Sequence, residues 1–247
     1  MTISAVQTSL CSTSPWMTPS QQFWLVALEH TCIKSAFRIC PVWREDWHLL
    51  GIEWNGQYYF DMVLPFGLRS SPFIFNSVGD ALEWVLCNEF AIAVLHHYLD
   101  DFLCVSGCNH HIAVQQLEII LDTLRYLGVP LAAEKIVGPA QVLTFLGIIL
   151  DCLKMEARLP DEKLTEIQDL LKDLLAAQYT TVGEFESFLG KLTFASRVVV
   201  PGRLFMRRLW DTLKRAGKSY YRLKLTENCR QDLLWWQILL KHRNGSP

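Results

Sequence analysis

The sequence lacks the features that would direct a chain into or across a membrane. It contains no apolar run of about 18 residues, the length that a membrane-spanning helix needs. Its first 20 residues have neither the basic start nor the apolar centre of a signal peptide. Its eight cysteines show no paired spacing, which favours reduced thiols. We therefore expect an intracellular protein, cytoplasmic or nuclear, that is not secreted.

Basic residues are scarce over most of the chain and absent from its start. No Lys or Arg precedes Lys34. Residues 1–186 carry 10 Lys and Arg against 22 Asp and Glu, whereas residues 187–247 carry 13 against 3. The hydrophobic content of 51% predicts a folded, globular chain. A basic segment on an acidic body suggests contact with a polyanion, although an ordinary solvated helix surface explains the charge equally well.

Turn and cap residues divide the first part of the chain into strands and helices. An apolar strand begins near Phe23, and Asn55-Gly56 between alternating aromatic and polar residues predicts a hairpin. Ser71-Pro72 predicts a helix start, and Asn109 caps a second helix that ends at Gly128. The resulting order is strand, helix, strand-turn-strand, helix, strand. It predicts an α+β fold of the split βαβ, ferredoxin-like kind.

After Leu159 the spacing of apolar residues predicts helices. Pro160 and acidic residues open one amphipathic helix, and Thr181 with Glu184 forms a capping box at the start of another. PGRLFMRRLWDTLKRAGK and TENCRQDLLWWQILLKH predict two more helices. We expect two domains, an α+β domain over residues 1–155 and an all-helical domain over residues 156–247.

Two adjacent acids stand between apolar strands in the segment LHHYLDDFLCVS. Charges in such a setting are costly unless something binds them. Neighbouring strand residues point to opposite faces, so Asp100 and Asp101 converge only at a tight turn. Carboxylate oxygens suit Mg²⁺, which also recruits substrate phosphates, and two-metal phosphoryl transfer needs a third acid from a neighbouring strand.

Ordered motifs around this hairpin resemble those of reverse transcriptases. HYLDDFL resembles their Tyr-x-Asp-Asp active-site hairpin, CIKSAFRICPV their first motif and LPFGLRSSPFIF their second nucleotide-pocket motif. GVPLAAEKIVGPAQVLTFLGIIL resembles the lysine-bearing loop and the primer-grip strand that follow. FASRVVVPGRLFMRRL and LTENCRQDLLWW further resemble the thumb and connection of DIRS-type, tyrosine-recombinase retrotransposons. The resemblance implies an RNA-directed DNA polymerase palm with reduced fingers, followed by a helical thumb.

The resemblance implies a role for each matching residue. Asp100 and Asp101 would bind Mg²⁺, of which the family uses two ions and this chain at most one, weakly held. Phe37 would exclude a ribose 2′-OH and so favour dNTPs. The other implied positions are Phe66 and Gly67 in the nucleotide pocket, Lys135 near the triphosphate, and Phe145, Leu146 and Gly147 against the primer end.

The chain departs from the family at the third acid, because Cys32 stands where the first motif supplies an Asp. A thiol is a soft, usually protonated ligand and a poor partner for Mg²⁺. Glu29 falls on the opposite strand face, and Asp61 has no motif reason to replace it. The segment before Cys32 also lacks the basic residues of the family's fingers, and the chain stops about where an RNase H domain follows in intact elements. We expect weak or absent polymerase activity and no RNase H activity.

The basic C-terminal segment is the implied surface for an RNA template and for RNA–DNA or DNA duplex. Its binding should be strongly salt-dependent. Arg203, Arg207 and Lys214 fall near one helical face. The full candidate set is Arg197, Arg203, Arg207, Arg208, Lys214, Arg215 and Lys218.

Two alternatives compete with these assignments. The Cys and His residues of CVSGCNHH (Cys104, Cys108, His110 and His111) suggest zinc, but their spacing matches no common motif, and Asn109 as a helix cap explains the region better. The rival function is a non-catalytic protein that binds nucleic acid or another partner, whether a domesticated or a decayed retroelement fragment. Salt-dependent RNA–DNA binding without nucleotide incorporation would favour it.

Overall fold

The computed structural model describes residues 23–28, 33–107, 109–132, 135–218 and 220–245. The chain forms two compact units, which divide between Phe145 and Leu146. The predicted mixture of helices and strands is confirmed for the chain as a whole. The prediction that residues 156–247 are all-helical is wrong, because short strands at Glu156–Arg158, Tyr179–Thr181 and Arg222–Lys224 lie within that range. No helix in these ranges combines the length and the apolar character needed to cross a membrane. The domain boundary at residue 155 stays a prediction.

The N-terminal unit contains seven strands and two α-helices within its described residues. The strands are β1 (Phe23–Leu28), β2 (Gly51–Trp54), β3 (Gln57–Phe60), β4 (Leu95–Tyr98), β5 (Asp101–Gly107), β6 (Ile136–Ala140) and β7 (Val142–Phe145). The α-helices are α1 (Ser71–Glu89) and α2 (His110–Tyr126). Two 3-10 helices, Ala36–Ile39 and Arg44–Leu50, precede β2.

Four of these strands form an antiparallel sheet in the order β4-β5-β1-β6. The central strands β1 and β5 pair from Phe23 opposite Gly107 to Leu28 opposite Phe102. Both are rich in apolar residues because central strands have few side chains that reach solvent. Helix α1 lies in the chain between β1 and β4, and α2 connects β5 to β6, which gives the split βαβ order.

Local signals in the sequence set the ends of these elements. Asn55 and Gly56 have φ values of 51° and 73°, as a two-residue hairpin turn between β2 and β3 requires. The side chain of Asn109 accepts a hydrogen bond from the backbone N–H of His111 at 2.9 Å and so caps α2. Gly128, with a φ of 74°, follows the end of that helix.

The described part of the C-terminal unit contains four α-helices, one short β-hairpin and one pair of strands that are distant in the chain. The helices are α3 (Asp161–Ala176), α4 (Val182–Ala195), α5 (Arg207–Lys214) and α6 (Glu227–His242). Strands β8 (Ile148–Asp151) and β9 (Glu156–Arg158) form the hairpin, and β10 (Tyr179–Thr181) pairs antiparallel with β11 (Arg222–Lys224). Leu171 of α3, Phe185 and Leu189 of α4, and Leu233 and Trp236 of α6 are completely buried, because each helix turns one apolar face inward.

One predicted helix is interrupted in the structure. The segment from Pro201 forms a 3-10 helix over Val200–Phe205, and α5 begins only at Arg207. Pro201 has no N–H to donate and favours a helix start rather than a helix interior. The prediction that Arg203, Arg207 and Lys214 share the face of one helix is therefore wrong, since Arg203 belongs to the 3-10 helix.

The capping box at the start of α4 gives a pH-dependent contribution to stability. Hydrogen bonds from the backbone N–H and side chain of Thr181 and the side chain of Thr180 lower the pKa of Glu184 from 4.5. A lowered pKa means that the stabilisation is present above the ordinary pKa and is lost as the pH falls through the folded-state value. We expect Glu184→Gln to lower Tm at pH 7 and to have a smaller effect at pH 3. Thermal melts at both pH values test this, with the exposed Glu186→Gln as the control; a difference that persists at pH 3 would contradict it.

Candidate active site

A cavity of about 440 Å³ in the N-terminal unit collects residues from separate parts of the chain. The lining residues are Lys34, Ser35, Ala36, Phe37, Phe66, Asp100, Ala132 and Lys135. The sequence analysis assigns four of these eight residues to a single site: Phe37, Phe66, Asp100 and Lys135. Lys34 is a second cation in the lining, which the sequence analysis did not assign, although it lies within the first motif.

The turn of the β4–β5 hairpin brings Asp100 to this cavity. Tyr98 pairs with Asp101, so Leu99 and Asp100 form the bend between the strands. Leu99 has a φ of 56°, a left-handed conformation that costs a bulky residue roughly 1–3 kcal/mol. The buried residues 102–106 of β5 hold this turn in place. Asp101 begins β5, so the two carboxylates follow each other at the tip of a well-packed hairpin.

Aromatic rings form another wall of the cavity. The ring centroid of Phe37 lies 5.2 Å from that of Phe66 and 5.7 Å from that of Phe75. Phe75 is completely buried and gives Phe37 a fixed backing, whereas Phe66 is 72% exposed. Gly67 follows with a φ of 87°, a conformation that favours glycine. Phe37 is thus held at the boundary between the core and the cavity.

A buried histidine, which the sequence analysis did not find, joins the hairpin to α1. Nδ1 of His97 lies 2.5 Å from Oε2 of Glu83, and Nε2 lies 3.6 Å from Oδ1 of Asp80. A Cβ atom at Gly79 would stand 2.5 Å from the imidazole, so only glycine leaves room for this ring. The sequence signal that could have indicated this contact is Gly79, because a glycine inside a helix often marks close packing of another group against the helix.

The residues implied for the primer end lie on a turn. Phe145 ends β7 with a buried side chain, and Leu146 and Gly147 follow with φ values of 49° and 75°. The carbonyl oxygen of Gly147 accepts a hydrogen bond from Nζ of Lys163 at 3.3 Å. The same ammonium group lies 4.3 Å from the centroid of the Phe194 ring. Within the C-terminal unit, α3 and α4 therefore hold the Gly147 backbone.

The described residues supply two adjacent carboxylates but no larger metal-binding group. Cys32, the position of the third acid, and Glu29 lie outside the described residues. The carboxylate of Asp61 is 2.5 Å from Nη1 of Arg38, in an ion pair. In the part of the chain that the structure describes, no three His, Cys, Asp or Glu side chains are grouped to hold a metal ion. Asp100 and Asp101 nevertheless offer the oxygen ligands that Mg²⁺ prefers.

The alternative zinc cluster gains no support from the described residues. Cys104 is buried in β5, and desolvation raises the pKa of its thiol to about 12, which disfavours the thiolate that zinc binds. His110 packs its ring against Trp24, with centroids 4.7 Å apart. Cys108 lies outside the described residues.

The predicted nucleic-acid-binding cations differ in their surroundings. Oδ2 of the buried Asp232 accepts a hydrogen bond from Nε of Arg208 at 2.8 Å, and Nη2 of Arg208 bonds its other oxygen. This ion pair raises the pKa of Arg208 and ties α5 to α6, a structural role that the sequence analysis missed. Arg203 donates through Nε to the carbonyl oxygen of Ser196, and Arg197 lies 5.6 Å from the Phe194 ring. The remaining cations, Arg207, Lys214, Arg215 and Lys218, are exposed.

A family model described as reverse transcriptase (RNA-dependent DNA polymerase) matches residues 20–150. The match covers more than half of the chain and includes β1, the hairpin tip and every residue lining the cavity. The chain belongs to the reverse transcriptase family.

Viral polyproteins are among the relatives of this chain. It is 24% identical over 189 residues to the Pro-Pol polyprotein of feline foamy virus, a match that covers 76% of the chain and 15% of the polyprotein. It is also 24% identical over 196 residues to the Gag-Pro-Pol polyprotein of human T-cell leukemia virus 3 (strain 2026ND). That match covers 72% of the chain and 13% of the polyprotein. The chain thus spans less than a sixth of the length of either relative.

Solved structures of a foamy viral protease-reverse transcriptase share the fold. The complex with an RNA/DNA hybrid has a TM-score of 0.71 and 20% identity, over 90% of this chain and 27% of that one. A complex with dsDNA has a TM-score of 0.67 and 21% sequence identity, and the match covers 95% of this chain and 48% of the solved chain. Because the sequence identity is only 20–21%, these structural matches establish that the chain shares this fold and nothing more specific.

Proposed function

We propose that residues 1–155 are the palm and reduced fingers, and residues 156–247 the helical thumb and the start of the connection, of an RNA-directed DNA polymerase. The observation that carries this proposal is the cavity at the β4–β5 turn, where an acid, two lysines and two aromatic rings from separate segments meet. Such a set matches a nucleoside triphosphate, which presents phosphates to cations and a sugar and base to apolar rings. Membership of the reverse transcriptase family supports the same ligand.

Asp100 and Asp101 bind Mg²⁺ at the tip of the hairpin. The chemistry of the two carboxylates fits this ion, and Asp100 borders the cavity. When bound, Mg²⁺ stabilises the negative charge that develops on the reacting phosphate. Because Cys32 replaces the third acid, the chain holds at most one ion, weakly, and catalyses dNTP addition poorly.

The other lining residues select and hold the nucleotide. Lys135 and Lys34 face the triphosphate, since phosphate binding depends on positive charge. Phe37, backed by Phe75, stands where a ribose 2′-OH would clash and so favours dNTPs. Phe66 and Gly67 shape the pocket, and the Phe145–Gly147 turn lies against the primer end.

The basic C-terminal segment binds template–primer through its phosphates. The complexes of the foamy viral enzymes with RNA/DNA hybrid and with dsDNA support this partner. Arg207, Lys214, Arg215 and Lys218 are exposed and suit phosphate contacts better than Arg208, whose guanidinium serves the fold. The motifs FASRVVVPGRLFMRRL and LTENCRQDLLWW support an origin in a DIRS-type retrotransposon.

A second candidate function is nucleic-acid binding without synthesis. The specific observation in its favour is the combination of Cys32 in the first motif with an exposed basic surface in the C-terminal segment. A domesticated or decayed retroelement fragment would retain the surface after losing the chemistry. Catalysis and binding must therefore be measured separately.

The test is single-nucleotide primer extension on an RNA template with Mg²⁺, alongside binding of the same RNA/DNA hybrid at several salt concentrations. We expect tight binding that weakens steeply with salt, together with trace extension. Asp100→Asn/Asp101→Asn should abolish the extension and leave hybrid binding within about twofold. Binding without any extension would favour the second candidate. A parent chain that fails to bind the hybrid at low salt, or extension that survives the double substitution, would refute the polymerase proposal.

A further inference from the structure

Three tyrosines lie exposed around the paired strands β10 and β11 of the C-terminal unit. Tyr179 begins β10, and Tyr220 and Tyr221 immediately precede β11. Their exposed fractions are 41%, 67% and 48%, so each ring presents a large area to solvent. We call Tyr179, Tyr220 and Tyr221 the tyrosine platform. Exposed aromatic rings among cations are the combination that binding sites for single-stranded nucleic acid use.

The local backbone holds the platform in place. The carbonyl oxygen of Tyr221 accepts a hydrogen bond from the N–H of Val182 at 3.0 Å, and its own N–H donates to the carbonyl oxygen of Lys218 at 2.9 Å. Gly217 leaves no room for a Cβ atom against the Tyr221 ring, so the preceding backbone packs directly on that ring. The rings of Tyr220 and Tyr221 meet edge to face with centroids 4.9 Å apart. A ligand would therefore meet preorganised rings, which lowers the entropy cost of binding.

Positive charge surrounds the platform. Residues 214–224 contain five cations and no acid, and all five are exposed: Lys214, Arg215, Lys218, Arg222 and Lys224. The guanidinium carbon of Arg222 lies 4.7 Å from the centroid of the Tyr179 ring. Across the described ranges, none of the five cations forms an ion pair with an acidic side chain. Their charge is therefore available to an external anion.

We propose that the tyrosine platform and its cations form a binding site for single-stranded nucleic acid. Exposed rings stack on unpaired bases, and interspersed cations track the phosphates between them. A duplex hides its base faces and would use only the cations. The site goes beyond the proposed polymerase function, because it captures a strand outside the paired template–primer. It adds Tyr179, Tyr220, Tyr221, Arg222 and Lys224 to the residues already assigned.

The first test compares the binding of fluorescein-labelled oligo(dT) to the parent chain and to Tyr220→Ala by anisotropy. Base stacking contributes about 1–3 kcal/mol per base, so the loss of Tyr220 should weaken oligo(dT) binding at least about fivefold. Binding of an RNA/DNA hybrid should change less than about twofold. Tyr126→Ala is the matched control, because Tyr126 is 90% exposed in the N-terminal unit beside Asp122 and Arg125. Circular dichroism verifies that each variant is folded.

A second variant separates stacking from charge. Arg222→Gln/Lys224→Gln should reduce the slope of log affinity against log salt for oligo(dT) by about 0.7 for each phosphate that the protein no longer neutralises. If this double variant weakens binding but Tyr220→Ala does not, the surface is a general polyanion site and the proposal is wrong. Equal loss of oligo(dT) and hybrid binding in Tyr220→Ala also overturns it.

Photocrosslinking locates the strand independently of affinity. An oligonucleotide with 5-iodouracil should crosslink to the peptide that contains Tyr220 and Tyr221, and excess oligo(dT) should compete. Crosslinks confined to other peptides would overturn the site. The crosslinking and the oligo(dT) affinities need neither polymerase activity nor a bound hybrid, so failure of the polymerase proposal and failure of the strand-binding site can be told apart.

Discussion

Cys32→Asp is expected to raise single-nucleotide extension of a primer on an RNA template by about a hundredfold or more. Stabilising transition-state charge with a well-held metal ion contributes several kcal/mol, and each 1.36 kcal/mol is worth about tenfold in rate. A thiol at this position is mostly protonated and soft, so it cannot complete an oxygen ligand set. A third carboxylate would complete the set with Asp100, which lines the cavity, and Asp101, which follows it at the β4–β5 turn.

Matched variants decide whether the charge at residue 32 matters. Cys32→Asn has nearly the shape of Cys32→Asp without the carboxylate charge, and it should show no gain. Combining Cys32→Asp with Asp100→Asn should remove the gain, because all three acids act on one site. The measurement is the pre-steady-state rate of incorporation at saturating dNTP, with hybrid binding recorded for each variant.

The possible results point to different lesions. If Cys32→Asp binds hybrid but gains no activity, Cys32 is not the sole defect, and the absence of basic residues before Lys34 becomes the stronger explanation. If the parent already extends primers as fast as Cys32→Asp, another group completes the site and our explanation of Cys32 is wrong.

Short-range chemistry made much of the fold predictable. Asn55-Gly56 fixes a turn, Asn109 caps α2, and Thr181 with Glu184 caps α4, because each signal acts within a few residues. The residues of the cavity were predicted from the resemblance to family motifs rather than from local signals. The motifs assign Phe37 and Asp100 to one site, although they are 63 positions apart in the chain, and both line the cavity.

Contacts between distant residues could not be predicted from such signals. The His97–Glu83 pair depends on how α1 packs on β4, and nothing near either residue specifies the other. Arg208 looked like a member of a basic surface, but the buried Asp232 that engages it lies 24 residues later. The pairing of β10 with β11, which assembles the tyrosine platform, also joins segments about 40 residues apart. Charge and periodicity describe a side chain, whereas its partner depends on packing.

The second large effect concerns the core of the C-terminal unit, where Gly202→Ala is expected to destabilise the protein by about 1–3 kcal/mol or more. A Cβ atom at Gly202 would overlap the indole ring of Trp236. That ring is completely buried and has no room to move without disturbing its neighbours. Urea unfolding followed by circular dichroism measures the free energy of unfolding.

A double-mutant cycle tests the contact itself. Trp236→Phe removes the outer ring atoms that a Cβ atom at Gly202 would meet, so Gly202→Ala should cost much less in the Trp236→Phe background. The control is Gly190→Ala in α4, where a Cβ atom would meet nothing within 4 Å. Alanine favours a helix interior by about 1 kcal/mol over glycine, so this control should stabilise the protein. Equal costs of Gly202→Ala in both backgrounds would show that overlap with the Trp236 ring is not the cause of the destabilisation.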